Sequence, residues 1–100
     1  MMNILKKIRS KKSKVGIIGL GYVGLELLLA IDKKKFNVIG FDKDEKKTIS
    51  LNKGISPINT ISNSRIKKTK ARFLTAKDYK ILSSIDILII CLPTPLKNNN

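Results

Sequence analysis

Lys14-Val-Gly-Ile-Ile-Gly-Leu-Gly-Tyr-Val-Gly-Leu25 is the stretch that decides the reading of this chain. Val15, Ile17 and Ile18 make a short apolar strand that runs directly into Gly19-x-Gly21-x-x-Gly24, after which Leu25, Leu28, Leu29 and Ile31 return at helical spacing. A strand, a glycine turn and a helix in that order are the context in which such a turn receives the pyrophosphate of a dinucleotide. Each glycine answers a separate demand: Gly19 turns the backbone sharply out of the strand, Gly21 has no Cβ to obstruct the pyrophosphate, and Gly24 lets the helix lie close on the sheet. The N–H groups of the first helical turn, at the positive end of the helix dipole, then face the phosphates.

A second apolar run, Phe36-Asn-Val-Ile-Gly-Phe41, ends at Asp42, at the distance the dinucleotide fingerprint expects for an acid at the tip of the second strand. A carboxylate there accepts hydrogen bonds from the ribose hydroxyls of the adenosine half, which favours NAD over its 2′-phosphorylated form. Capping of the next helix is the structural alternative for Asp42, and one carboxylate can do both.

The remaining pattern alternates strands and helices. Strands are expected at 14–19 and 36–42 with a helix over about 22–34 between them, and Asp44-Glu45 opens a second helix that Asn52-Lys-Gly54 stops, with Gly54 as its C′ residue. Ser62-Asn-Ser64 offers caps for a short basic helix containing Ile66. Arg72-Phe-Leu-Thr75 reads as a third strand, Asp78 to Ser84 as a short helix and 86–92 as a fourth strand. The order βαβαβαβ predicts an α/β fold: a Rossmann-type doubly wound parallel sheet, incomplete at about four strands, with its ligand crevice beyond the carboxyl ends of the strands. Residues 1–13 read as a basic extension and 14–100 as a partial dinucleotide-binding domain.

Charge is the other conspicuous property, with 21 Lys+Arg against 7 Asp+Glu and a formal net charge of +14. The excess is nearly all Lys spread from end to end, and aromatics make up only 5% of the chain, a poor match to surfaces that stack and read nucleic-acid bases. No specific nucleic-acid partner is expected. A basic nucleic-acid-binding module stays as the rival class, to be recognised by binding that falls steeply with salt and ignores NAD.

The single Cys91 cannot close an internal disulfide, and the chain has no His, so no metal chemistry is expected. In its apolar strand Cys91 reads as a small buried hydrophobe. No segment approaches a membrane span, and Met1-Met-Asn-Ile-Leu-Lys-Lys-Ile-Arg-Ser10 lacks the apolar run of a secretory signal, which leaves the cytoplasm as the expected compartment.

Four quoted pieces together say more than a generic fold. Lys14–Leu25, then Val38-Ile-Gly-Phe-Asp42, then Asn52-Lys-Gly54, and finally Asp86-Ile-Leu-Ile-Ile-Cys-Leu-Pro-Thr-Pro-Leu96 resemble, in order and spacing, the N-terminal domain of the UDP-glucose/GDP-mannose dehydrogenase family. Ser56-Pro-Ile58 followed by Ile61-Ser62 resembles its UDP-N-acetylhexosamine branch. The resemblance implies an enzyme that oxidises the C6 alcohol of a nucleotide sugar to a carboxylate with NAD, for polysaccharide precursors. It also implies that Gly19, Gly21, Tyr22, Val23 and Gly24 line the pyrophosphate, Asp42 holds the adenosine ribose, Lys47 sits beside the adenosine end and Thr94 touches the cofactor. Plainer readings stay open: Tyr22 as a packing side chain, Lys47 as a solvated helix lysine, Thr94 as the middle of a proline turn.

No catalytic residue is expected within these residues, because the family's thiol nucleophile, its lysine and acidic partners and its sugar domain belong to later sequence. The UDP-sugar is accordingly a partner of the complete enzyme, whose homo-oligomerisation is left open, and a catalytically inert nucleotide-binding remnant is the alternative. Two residues depart from the family pattern. Glu26 stands where proline is usual, expected to place a negative charge in the first turn of the pyrophosphate-facing helix, and Lys35 replaces a glycine where a left-handed backbone suits lysine poorly.

Overall fold

Hydrophobic periodicity and local caps set the elements, and the computed structural model describes residues 12–75, 77 and 79–92 of the chain. Strand β1 (Lys14–Ile18) leads through the glycine turn into helix α1 (Tyr22–Lys33), and β2 (Asn37–Asp42) follows. Helices α2 (Glu45–Asn52) and α3 (Asn63–Lys68) precede β3 (Arg72–Thr75), after which α4 (Tyr79–Leu82) leads to β4 (Ile87–Ile90). The fourth strand is shorter than the expected 86–92, and the expected start of α4 at Asp78 lies outside the described residues.

Caps explain where several helices begin and end. Asp44, the N-cap of α2, accepts from the N–H groups of Lys46 and Lys47, and Ser62 does the same for Arg65 at the start of α3. At the far end of α2 Gly54 adopts φ +80°, donating to Leu51 O while Ile55 donates to Ser50 O, the paired bonds of a Schellman stop. Helix α1 ends by the same bonding pattern, Lys35 N–H to Asp32 O and Phe36 N–H to Ile31 O, but its C′ residue is Lys35 at φ 71°. The left-handed lysine anticipated from the sequence is therefore present.

The strands form one sheet in the order β3-β2-β1-β4, with every neighbouring pair parallel. The chain steps outward from β1 to β3 and then returns to the other side of β1 for β4. That reversal makes the junction of β1 and β4 a topological switch point, where the two connections diverge and leave a crevice at the carboxyl ends. Register brings those ends level, since Ile18 pairs with both Phe41 of β2 and Ile90 of β4.

One core lies between the sheet and its helices, built from Val15 and Ile17 of β1, Leu25, Leu28 and Leu29 of α1, Val38 of β2, and Leu51, Ile61, Ile66 and Phe73 from the second half. Burying each Leu or Ile side chain contributes about 1.5–3 kcal/mol. Asn52 fastens α2 to β3 through its amide, which donates to Phe73 O at 2.8 Å. Ser13, assigned with the basic extension from the sequence, is fully buried, so the packed body already includes it. At the β4 end Leu88, Ile90 and Leu92 remain exposed on alternate positions, one face of a period-two strand.

Candidate functional site

The glycine turn sits at the switch point and is fixed from both sides. Gly19 N–H donates to Phe41 O at 2.8 Å, and Cys91 N–H donates to Ile18 O at 2.7 Å, so the ends of β2 and β4 grip the exit of β1. Gly19 adopts φ +99°, and any side chain there would run into the carbonyl of Cys91. A Cβ on Gly24 would overlap the carbonyl oxygen of Gly19, which makes Gly24 a requirement of close packing between helix and turn. Gly21 differs from both: a Cβ there would meet nothing within 4 Å. The fold itself has no steric reason for glycine at 21, whereas an elongated phosphate ligand lying against that backbone does.

Gly21 is also the N-cap of α1 and makes no side-chain cap bond, with the first helical hydrogen bond running from Leu25 N–H to Gly21 O at 2.9 Å. The opening N–H groups of the helix thus point outward without a built-in acceptor from the cap residue, as an anion site requires. Tyr22 and Val23 stand at this opening with exposed side chains, 56% and 66% accessible. Neither is a packing residue.

Asp42 ends β2 beside the turn and is nearly buried. Its Oδ2 accepts the N–H of Leu20 at 2.8 Å and approaches Lys47 Nζ at 3.4 Å, while Oδ1 accepts the N–H of Asp44 at 2.8 Å. Burial pushes the Asp42 carboxyl up, but the Asp44 and Leu20 N–H groups together with the Lys47 ammonium outweigh it and hold the group below the ordinary aspartate value. The helix cap proper is Asp44, so Asp42 is not the capping residue of α2. These three contacts leave acceptor capacity on a carboxylate that stands at the carboxyl end of β2.

Lys47 is thereby more than a solvated lysine, being half-buried and paired with Asp42. Thr94 lies outside the described residues. Cys91 is free and half-buried, packed against the core, with its backbone closing on Gly19.

One expectation requires correction. Glu26 is not in the first turn of α1, which carries no acid; it is the fifth residue of the helix, and its carboxylate is taken by Arg65 of α3 at 2.7 and 3.2 Å. The Arg65 guanidinium, chiefly through its hydrogen bond, holds the Glu26 carboxyl below its ordinary value. Arg65 had no signal of its own in the sequence, where it is one cation within a basic segment.

A family model for the UDP-glucose/GDP-mannose dehydrogenase NAD-binding domain matches residues 13–100. The chain belongs to that family. Among curated relatives, the protein CapL of Staphylococcus aureus is 32% identical over 87 residues, covering 86% of this chain and 20% of the relative. The UDP-N-acetyl-D-glucosamine 6-dehydrogenase of Pseudomonas aeruginosa is 31% identical over 86 residues, again covering 86% of this chain and 20% of the relative. Among solved structures, a ternary complex of GDP-mannose dehydrogenase from Pseudomonas aeruginosa superposes with a TM-score of 0.70 at 29% identity, over 85% of this chain and 20% of that one. The UDP-D-ManNAc dehydrogenase of Pyrococcus horikoshii gives 0.74 at 25% identity, over 87% and 22%. The chain spans about a fifth of the length of the curated relatives it matches. The cofactor of the matched domain is NAD. No helix among the described residues is long and apolar enough to cross a membrane.

Proposed function

We propose that this chain holds NAD for a nucleotide-sugar 6-dehydrogenase, one that oxidises the C6 alcohol of a UDP-sugar, of the UDP-N-acetylhexosamine class, to a carboxylate. The observation that carries the cofactor site is Gly21, a glycine of the fingerprint whose missing side chain leaves open space beside the uncapped start of α1. The sugar class is supported by the names of the relatives and by the Ser56-Pro-Ile58 segment.

In this reading the backbones of Gly19, Gly21, Tyr22, Val23 and Gly24 surround the pyrophosphate, and the first-turn N–H groups of α1 donate to its oxygens. Asp42 accepts from the adenosine ribose, and Lys47 holds that carboxylate ionised beside the adenosine end. Thr94 is assigned to the cofactor on its place in the Pro93-Thr94-Pro95 segment. Bound NAD supplies the hydride acceptor. These residues bind and orient it, and the thiol, base and sugar pocket of the reaction are assigned to other parts of such an enzyme, with Cys91 left in the core. Residues 14–100 are read as part of the NAD-binding domain, in a cytoplasmic protein.

Calorimetric titration of the chain with NAD tests the reading. Saturable binding in wild type that disappears in Gly21→Val, with the melting transition unchanged, supports it. Equal binding by wild type and Gly21→Val would place the nucleotide elsewhere.

A further inference from the structure

Glu26 is a liability for a phosphate site. It lies on α1 one turn beyond Tyr22, about 6 Å along the helix axis, and residues four apart share a helix face. That distance is inside the Debye length of about 8–10 Å at ordinary salt, so an unpaired carboxylate there is felt at the helix start where a pyrophosphate carries its negative charge. The helix dipole worsens the conflict, because the same N-terminal end attracts both the side chain and the ligand.

The structure answers this charge from a distant part of the sequence. Arg65, 39 residues on, reaches from α3 and closes a two-pronged pair, Nη2 to Oε1 at 2.7 Å and Nη1 to Oε2 at 3.2 Å. Both partners are partly exposed, with side-chain accessibilities of 46% and 33%. Exposed pairs of this kind contribute little to fold stability. A contribution to the electrostatics of the neighbouring anion site is the larger consequence available to it.

We infer that Arg65 is a charge-compensating residue of the cofactor site: by engaging Glu26 in a two-pronged pair it holds that carboxylate in place and offsets its charge, so that the glycine turn accepts the NAD pyrophosphate. The inference rests on the NAD reading of the glycine turn. Arg65 touches no phosphate in this account. Its effect passes through Glu26.

The experiment is a double-mutant cycle on the full chain, with the dissociation constant for NAD measured by calorimetry at low and high salt and the thermal transition recorded for every variant. Arg65→Met unmasks Glu26 and is expected to weaken NAD binding about three- to fivefold at low salt, a loss that shrinks in high salt. Glu26→Gln in the Arg65→Met background removes the unmasked charge and restores the affinity to within about twofold of wild type. Glu26→Gln alone binds NAD at least as tightly as wild type. Unchanged affinity in Arg65→Met, or a double variant as weak as Arg65→Met, overturns the inference, the latter because it gives Arg65 a role independent of Glu26. A shared drop in thermal stability without salt-dependent rescue also overturns it, by reducing the pair to a tie between α1 and α3. Wild type that binds no NAD overturns the underlying cofactor reading, an outcome distinct from all of these.

Discussion

The carboxylate of Asp42 accepts the backbone N–H of Leu20 at 2.8 Å, joining the tip of β2 to the middle of the glycine turn across 22 residues of chain. The same group accepts Asp44 N–H and pairs with Lys47, so one side chain braces the turn, the exit of β2 and the start of α2. Its buried position makes those contacts mutually dependent, because removing the charge leaves the donors facing a nearly dry carboxyl.

Acid should loosen this brace. The folded-state pKa of Asp42 is lower than its ordinary value, so its contribution is fully present above about pH 4, the unfolded aspartate range, and is lost as pH falls through the lower folded value. Chemical denaturation of wild type and Asp42→Ala across pH 2–7 measures it. The stability gap between the two proteins should be widest at neutral pH and narrow in acid; a gap that is constant with pH contradicts the assignment.

On the proposed function, cofactor choice should depend on the same carboxylate. A 2′-phosphate would approach Asp42 with like charge, and NAD is expected to bind at least about tenfold more tightly than NADP. Asp42→Ser should narrow that ratio, chiefly by admitting NADP beside Lys43, Lys46 and Lys47. Comparable affinities for both cofactors in wild type would remove Asp42 from the ribose site.

Gly21 and Gly24 should separate binding from folding. Gly24→Ala forces a methyl into the carbonyl of Gly19 and should cost at least about 2 kcal/mol of stability, seen as a lower denaturation midpoint. Gly21→Ala points its methyl into open space, leaving the midpoint within about 0.5 kcal/mol equivalents of wild type while weakening NAD binding. Similar stability losses in the two variants would show that glycine at 21 serves the fold.

Lys35 offers a gain. Its φ of 71° at the end of α1 puts a lysine where α2 uses Gly54, and Lys35→Gly should stabilise the chain by about 0.5–1 kcal/mol by relieving the left-handed penalty. Lys34→Gly is the control, because Lys34 has an ordinary backbone at φ −83° and should lose stability or stay level. Denaturation midpoints of the two variants decide the matter.

The sequence by itself determined what depends on neighbours a few residues apart. The alternating Val15 and Ile17, the helical spacing of Leu25, Leu28 and Leu29, the acidic opening of α2 at Asp44-Glu45, the cap at Ser62 and the stop at Gly54 each act within one strand or one helical turn, and each was found where its local chemistry put it. The glycine spacing and Asp42 fell at the carboxyl end of the sheet for the same reason: their required backbone geometry is written into residue type and separation. Tertiary structure alone decided the strand order, the placement of the Cys91 carbonyl against Gly19, the bond from Leu20 to Asp42 and the capture of Glu26 by Arg65. Those contacts join residues distant in the chain, and no residue type announces its partner when the pairing is set by which helix packs beside which. Arg65 is the clearest case, one cation among many in a chain of net charge +14, given its partner only by the fold that brings α3 within reach of Glu26 on α1.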